Sequence, residues 1–384
     1  MVKPDNLPAH RAAFGGGQRQ HGGIAPSLSQ TLRRRMVAQA GFGFSWLVLA
    51  FFGWAVLLEG NVFAAASPPF RFQLPTANQA IFEKEGGARY FVGTVGRPWT
   101  SGGYGCVRSS GAQLHEGLDI RCLQRDRQGE PTDPVLATAD GTVAYINANP
   151  SLSNYGRYLV VRHQIEGLEI YSLYAHLRAI QPGLKTGQVV RAGEKLGTLG
   201  RSANTREGIS KERAHLHFEL NVFLNDQFAR WYRQTYPGQR NDHGNWNGQN
   251  LLGFDPQAVF LAQRAEGKRF SLLQHLRSQP ELCRVQVRVK DFPWVRRYRP
   301  LMRPNPRAEH EGIAGYELAL NFIGIPFEVI PRAASELRGT ARYQLLSVNE
   351  TEQKRRGCRK LVLHRGQRWE LAPNGLRLLN LLTH

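Results

Sequence analysis

The sequence predicts a mainly β protein. From about residue 91 to 262 the chain is a series of short β-type runs separated by glycine-containing turns. Only one stretch there, residues 256–263, has the pattern of a short helix. Hydrophobic residues make up 41% and charged residues 21% of the 384 residues, which is typical of globular proteins that bury a core. At roughly 150 residues per domain, the length predicts two or three domains.

The strand candidates fall in two regions of different charge. In the first region they are residues 141–146, 158–162, 168–174 and 215–220. Residues 265–384 hold 22 Lys and Arg against 11 Asp and Glu, and their β-type runs are 283–289, 327–330, 343–346 and 361–363. We therefore predict a smaller, basic, mainly β C-terminal domain of unknown function over 265–384.

The N-terminus predicts the compartment. Residues 1–36 are rich in Gly, Gln, Ser and Pro and read as a disordered basic region. Residues 41–58 carry no charge, follow three arginines and would span about 27 Å as a helix. The Ala64–Ala66 run is a plausible cleavage site, so residues 37–66 are either a signal peptide or a transmembrane anchor. Both alternatives place the rest of the chain, after a lead-in over 67–96, in the periplasm or outside the cell.

The charge balance restricts the partners. A formal net charge of +20 points to a polyanion. Export argues against nucleic acid, which is not expected as a partner. Anionic wall polymers or a membrane surface remain, bound through the basic C-terminal domain.

The first motif that carries chemistry is His115 to Asp119. Imidazole nitrogen and carboxylate oxygen are zinc ligands, and an extended chain places two residues four apart on the same face. A helical HExxH-type site with Glu116 as the base does not fit, because Gly117 interrupts the segment and Asp119 replaces the second histidine. Alone, this pair is weak evidence for a metal.

The second motif is His215-Leu216-His217, in which strand alternation sends both imidazoles to one face. Such a pair suits metal binding or proton transfer, although a solvated polar strand face is the alternative. His176 ends a further β-type run. By itself it would be interpreted as structural.

Together these segments resemble the lysostaphin-type (LytM-like) zinc endopeptidases, which cut peptidoglycan peptides. The resemblance covers about residues 97–262. It includes the glycine-containing framework as well as the histidines, in the segments 104–105, 135–143, 154–163, 173–177, 187–197 and 214–219.

The resemblance implies a fold, a cofactor and a reaction. It implies a zinc metallopeptidase domain over 97–264 with an antiparallel sheet that forms a groove. One zinc ion would be held by His115, Asp119 and His217. His176 and His215 would be the catalytic non-ligand histidines, which orient or deprotonate the attacking water and stabilise the oxyanion. The expected substrate is a stem or cross-link peptide of peptidoglycan; the alternative is a non-catalytic wall-binding regulator or scaffold of other hydrolases.

Two departures from the family pattern concern the substrate. Residues 204–214 replace a short turn with a longer, charged segment. Residues 221–250 form an insert that is either a surface loop or an aromatic groove wall, with Trp231, Tyr232, Tyr236 and Trp246.

The four cysteines suggest one disulfide in each domain. Cys106 and Cys122 bracket the first motif, while Cys283 and Cys358 lie in the basic region. An oxidising compartment favours such bonds, and four free thiols are the alternative.

Overall fold

A computed structural model describes residues 71–205 and 208–384, which lie in one compact unit. It is mainly antiparallel β-sheet, which confirms the predicted fold class. Residues 1–36 and 37–66, for which disorder and a signal peptide or anchor are predicted, lie outside the described residues. Within the described part of the chain, no helix is both long and apolar enough to cross a membrane.

A seven-stranded antiparallel sheet forms the centre of the first region. Its order is β12-β11-β7-β6-β5-β9, with β3 also paired to β11. These strands are β3 (Leu118–Arg121), β5 (Gly141–Asn147), β6 (Tyr158–Ile165), β7 (Leu168–Ala175), β9 (Val189–Val190), β11 (His215–Phe223) and β12 (Leu251–Phe254). Every residue of β11 is buried, and this strand lies under the predicted site. The four strands predicted from alternation are all present.

Two small sheets flank this core. The hairpin of β1 (Gly105–Arg108) and β2 (Gln113–His115) carries the first histidine. The strands β4 (Pro134–Leu136), β8 (Ala179–Ile180) and β10 (Lys195–Thr198) form a three-stranded sheet.

Three helices accompany these sheets: α1 (Gly87–Tyr90), α2 (Phe228–Thr235) and α3 (Pro256–Glu266). The helix α3 is the one predicted at 256–263. It begins where the Asp255 side chain accepts hydrogen bonds from the main-chain N–H groups of Gln257 and Ala258, with Pro256 in the first turn.

The C-terminal region contains more helix than the sequence predicted. Its four-stranded sheet has the order β15-β14-β13-β16, and a hairpin of β17 and β18 follows. The strands are β13 (Cys283–Val287), β14 (Gly315–Leu320), β15 (Pro326–Arg332), β16 (Tyr343–Val348), β17 (Val362–Arg365) and β18 (Arg368–Leu371). The helices are α4 (Leu272–Arg277), α5 (Pro293–Arg297), α6 (Pro306–Glu311), α7 (Glu350–Arg356) and α8 (Pro373–Leu382). Helices of 5 to 10 residues show too few turns for a clear apolar period.

The prediction of one disulfide per domain is wrong. The bond joins Cys106 of β1 to Cys358, 252 residues away, while Cys122 and Cys283 are buried free thiols. Each free thiol belongs to the apolar core, at 7% and 0% exposure, so neither can reach a surface partner.

The two regions share one hydrophobic core. The Tyr298 hydroxyl donates to the Glu169 carbonyl and accepts from the Phe223 N–H, which joins the C-terminal region to β7 and β11. Asn225 donates to the Leu381 carbonyl at 2.7 Å. The domain boundary between 264 and 265 stays a prediction.

Candidate active site

Strand register brings Asp119 and His217 together. The strands β3 and β11 are antiparallel, and these two residues are direct Cα partners. Gly117 permits the close approach, because a Cβ at this position would lie 2.3 Å from the Phe218 carbonyl oxygen. The glycine between His115 and Asp119 is therefore required by the packing of the strands.

Three side-chain atoms converge at this point. His115 Nε2 lies 3.2 Å from His217 Nδ1 and 3.1 Å from Asp119 Oδ1, and His217 Nδ1 lies 3.0 Å from the same carboxylate oxygen. All three residues are at least 94% buried. Two imidazole nitrogens and one carboxylate oxygen form a donor set that zinc accepts.

Hydrogen bonds fix the tautomers of both imidazoles. His115 Nδ1 lies 2.7 Å from the Gly103 carbonyl, which can only accept, so the imidazole donates and Nε2 keeps its lone pair. His217 Nε2 donates to the Glu219 carboxylate at 2.7 Å, which leaves Nδ1 to face the cluster. Partners of this kind orient metal-binding histidines, so the residues present fit a metal ion.

Glu219 is the centre of a buried hydrogen-bond network behind the cluster. Besides His217, it accepts from the Tyr155 hydroxyl at 2.8 Å and from the Asn221 amide at 2.9 Å. The glutamate is fully buried. A buried carboxylate with three donors stays ionised and holds the His217 ring rigidly.

Arg108 of β1 holds the other oxygen of Asp119. Its Nη2 lies 2.5 Å from Asp119 Oδ2, so Oδ1 remains directed at the two histidines. The arginine side chain is mostly buried, at 16% exposure.

His176 and His215 lie beside the cluster. Their rings are 4.9 Å apart, and His215 Nε2 is 3.6 Å from Asp119 Oδ1. Each Nδ1 donates to a main-chain carbonyl, of Ser202 for His176 and of Arg213 for His215, so each Nε2 is the free acceptor. His176 has a φ of 62° at the end of β7, and this left-handed turn places its ring near the cluster.

Burial and neighbouring charges shift the pKa values of the site histidines in different directions. Burial lowers the pKa of His176 well below its usual value, and the neighbouring imidazoles lower it further. Burial likewise lowers the pKa of His215. Burial opposes a charge on His217, but hydrogen bonds to Asp119 and Glu219 outweigh it and raise its pKa to about 10. A proton and a metal ion compete for Nδ1 of that ring, so metal binding would release the proton.

The five predicted site residues line one cavity of about 670 Å³. The long segment before β11 contributes Ala203, Thr205 and Ile209 to its wall. Tyr104, by contrast, points away: its hydroxyl donates to the Gly253 carbonyl and its ring packs on Phe322.

The insert after β11 does not line this cavity in the described structure. Trp231 and Tyr232 are buried in the core, and Trp246 packs against Tyr145 and Phe223. The prediction of an aromatic wall for the main groove is therefore not realised.

Sequence reasoning assigned no role to Glu219, Tyr155 or Arg108. A signal existed for Glu219, which lies two residues after His217 and so on the same strand face. Nothing in the local pattern indicates Arg108, which reaches Asp119 from a separate hairpin.

An antiparallel sheet with a buried His/Asp/His cluster and two further histidines defines the class: a metallopeptidase-type site. Residues 113–229 match the family model described as Peptidase family M23. This match confirms the resemblance of residues 113–229 to the LytM-type peptidases that the sequence predicted.

Two curated relatives each match about a third of the chain. One is the cell division protein DipM of Caulobacter vibrioides, 33% identical over 114 residues, which are 30% of this chain and 15% of DipM. The other is the L-Ala–D-Glu endopeptidase of Bacillus subtilis, 29% identical over 131 residues, 34% of this chain and 36% of the relative. The chain thus spans well under half of either protein.

Among solved structures, a putative glycyl-glycine endopeptidase LytM from Ruminococcus gnavus is 30% identical, with a TM-score of 0.22. That match covers 28% of this chain and 39% of the other.

Proposed function

We propose that the protein is an exported zinc-dependent endopeptidase that hydrolyses peptide bonds in the stem or cross-link peptides of peptidoglycan. The observation that carries this proposal is the convergence of His115, Asp119 and His217 on one point, with His176 and His215 beside it in the same cavity.

His115, Asp119 and His217 would hold the metal. Bound there, one zinc ion would supply Lewis-acid chemistry, which polarises a carbonyl and makes water acidic enough to lose a proton near neutral pH. Glu219 and Arg108 hold His217 and Asp119 in place, so they would keep these ligands oriented for a bound ion.

The two other histidines handle protons and charge. His176 and His215 each keep Nε2 free as an acceptor beside the cluster, so one of them accepts the proton of the attacking water. As the peptide C–N bond breaks, that proton passes to the leaving amine. The second imidazole would stabilise the oxyanion of the tetrahedral intermediate in its protonated form, in which Nε2 donates a hydrogen bond.

The family match and the name of the Bacillus relative support a peptidoglycan peptide as substrate. The relative is named for the bond between L-Ala and D-Glu, but it is matched over only 36% of its length. We therefore propose the substrate class and leave the bond to experiment.

Export is part of this proposal. It is supported by the uncharged run at 41–58 after Arg33–Arg35, and it places the enzyme in the periplasm or outside the cell. Fusion of residues 1–70 to a reporter that is active only after export tests it. A reporter that stays inactive in the cytoplasm would contradict it.

The basic C-terminal region is proposed to contact anionic wall polymers or the membrane surface. Part of its charge is already used inside the fold, because Arg284 pairs with three carboxylates, those of Glu281, Glu317 and Glu328. Binding to purified wall that weakens at a few hundred millimolar salt would support this contact. Binding unaffected by salt would contradict it.

Digestion of purified peptidoglycan by the full chain tests the activity. We expect about one zinc per chain and newly released peptide fragments in the mass spectrum, both lost in His217→Ala. His310→Ala is the matched control, because this histidine is exposed and lies outside the site.

A regulator of other hydrolases is the second candidate, favoured by the likeness to a cell division protein. It predicts zinc-loaded protein that releases no fragments by itself but increases release by a second hydrolase.

A further inference from the structure

A second cavity, of about 220 Å³, lies between the insert after β11 and the C-terminal region. We call it the arginine cavity. The residues that define it are Trp231, Tyr236, Gln249, Arg359, Asn374 and Arg377. The first three come from the insert and the last three from the C-terminal region, so neither region forms the cavity alone. Two cations and no carboxylate are found among its described lining residues.

Arg359 is the less exposed of the two cations. Within the described residues its guanidinium donates no hydrogen bond and forms no ion pair. Burial lowers the pKa of Arg359 below its ordinary value, and the negative charge of Glu116 opposes this shift. An oxyanion that accepts two parallel N–H bonds would supply the missing partner.

Arg377 of α8 lies beside Arg359. Its guanidinium lies 5.9 Å from the centre of the Tyr236 ring, and its Nη1 donates to Asn374 Oδ1 at 3.2 Å. Asn374 in turn donates to the Arg359 carbonyl, so the two arginines belong to one connected structure.

The arginine cavity lies near the active site, on the side of Glu116. This glutamate lines the main cavity next to His115 and also interacts electrostatically with Arg359. Tyr104 interacts with both charged residues. Gly253, whose carbonyl accepts from Tyr104, packs against the Glu116 backbone.

We propose that the arginine cavity is a substrate subsite that binds a free carboxylate of a peptidoglycan stem peptide. This subsite rests on the proposed function and deepens it, because it assigns substrate recognition to the insert and the C-terminal region. A volume of about 220 Å³ is below that of complete ligand pockets, so it suits one terminal residue of a longer ligand bound along the groove. Phosphate offers the same oxyanion chemistry and is therefore tested alongside.

Calorimetric titration of the full chain with a stem tetrapeptide, as free acid and as C-terminal amide, tests the subsite. We expect the acid to bind at least about 10-fold more tightly than the amide, both with zinc and with a chelator, because the subsite does not use the metal. Arg359→Gln should remove the difference and Arg377→Gln should reduce it. Arg233→Gln is the matched control: it removes the same charge from an exposed position on α2 outside the cavity.

The outcomes separate this proposal from the proposed function. Equal binding of acid and amide, or an unchanged preference in both cavity variants, would overturn the subsite. Inorganic phosphate that competes as strongly as the peptide acid would reassign the cavity to phosphate and also overturn it. Carboxylate-dependent binding by a protein that digests no wall would support the subsite while contradicting the peptidase. Thermal melts identify a variant that fails to fold. If Arg359→Gln does not fold, the acid-over-amide preference of Arg377→Gln, which changes an exposed residue, decides between the outcomes.

Discussion

Replacing Glu219 with Gln tests whether the network behind His217 tunes the metal centre. The substitution keeps the side-chain shape and an oxygen acceptor but removes the negative charge that receives the His217 Nε2 proton. Partners of this kind typically contribute 10- to 100-fold in metal affinity, about 1.4 to 2.7 kcal/mol. Because Glu219 is fully buried, little of this effect is lost to solvent screening, and we expect a fall in zinc affinity within that range.

The assay is competition for zinc between the purified chain and a chromophoric chelator, with thermal melts of the zinc-free proteins alongside. Tyr155→Phe is the control, because it removes one donor to the same carboxylate and leaves the charge in place. Its loss of affinity should be clearly smaller. Zinc affinity in Glu219→Gln within twofold of the parent would refute the reasoning. An equal loss of zinc affinity in both variants would indicate that disturbed packing, and not the lost charge, causes the effect.

Three further predictions concern stability and assembly. His163 is 1% exposed, and burial lowers its pKa to about 4. Its imidazole therefore takes up a proton near pH 6.5 in the unfolded chain but only near pH 4 in the folded chain. The free energy of unfolding should be highest above pH 6.5 and fall by up to about 3 kcal/mol as the pH drops to 4. In urea unfolding at several pH values, the free energy of unfolding should depend less steeply on pH in His163→Asn than in the parent. Identical pH dependence in the two proteins would contradict this. Gly117→Ala should push β3 from β11 at the Phe218 carbonyl, costing about 1–3 kcal/mol and most of the bound zinc; metal analysis showing a full zinc content would exclude it. Replacing Cys106 and Cys358 with Ser should lower unfolding stability by about 2–5 kcal/mol, measured in urea, and an unchanged midpoint would count against a native bond between them.

Local pattern was sufficient for much of the fold. Alternation of apolar and polar residues located β5, β6, β7 and β11, since the side-chain period of a strand is visible within a few residues. The spacing of His115 and Asp119 placed two candidate ligands on one face. Bringing His217 and His176 to the same point required the family resemblance, because no local pattern states which strands pair.

What local pattern missed depends on contacts between distant parts of the chain. Arg108 reaches Asp119 from another hairpin, and Cys106 pairs with a residue 252 positions away. The cysteines were paired by proximity in sequence, whereas the fold places Cys122 and Cys283 in the core. The helices of the C-terminal region are too short to show an apolar period, so the sequence pattern predicted less helix there than the structure contains.

The Cys106–Cys358 bond ties the predicted site to the C-terminal region of this protein. The strand it anchors is the one whose hairpin ends in His115 and whose arginine holds Asp119. A fragment ending near residue 264 would leave Cys106 without its partner and Trp231 without the Asn380 side chain that accepts from its indole N–H. The part of the chain that matches the family model is therefore supported by contacts from the C-terminal region. During synthesis, β1 acquires this covalent support only after Cys358 has been added, so a product that stops before Cys358 would lack it.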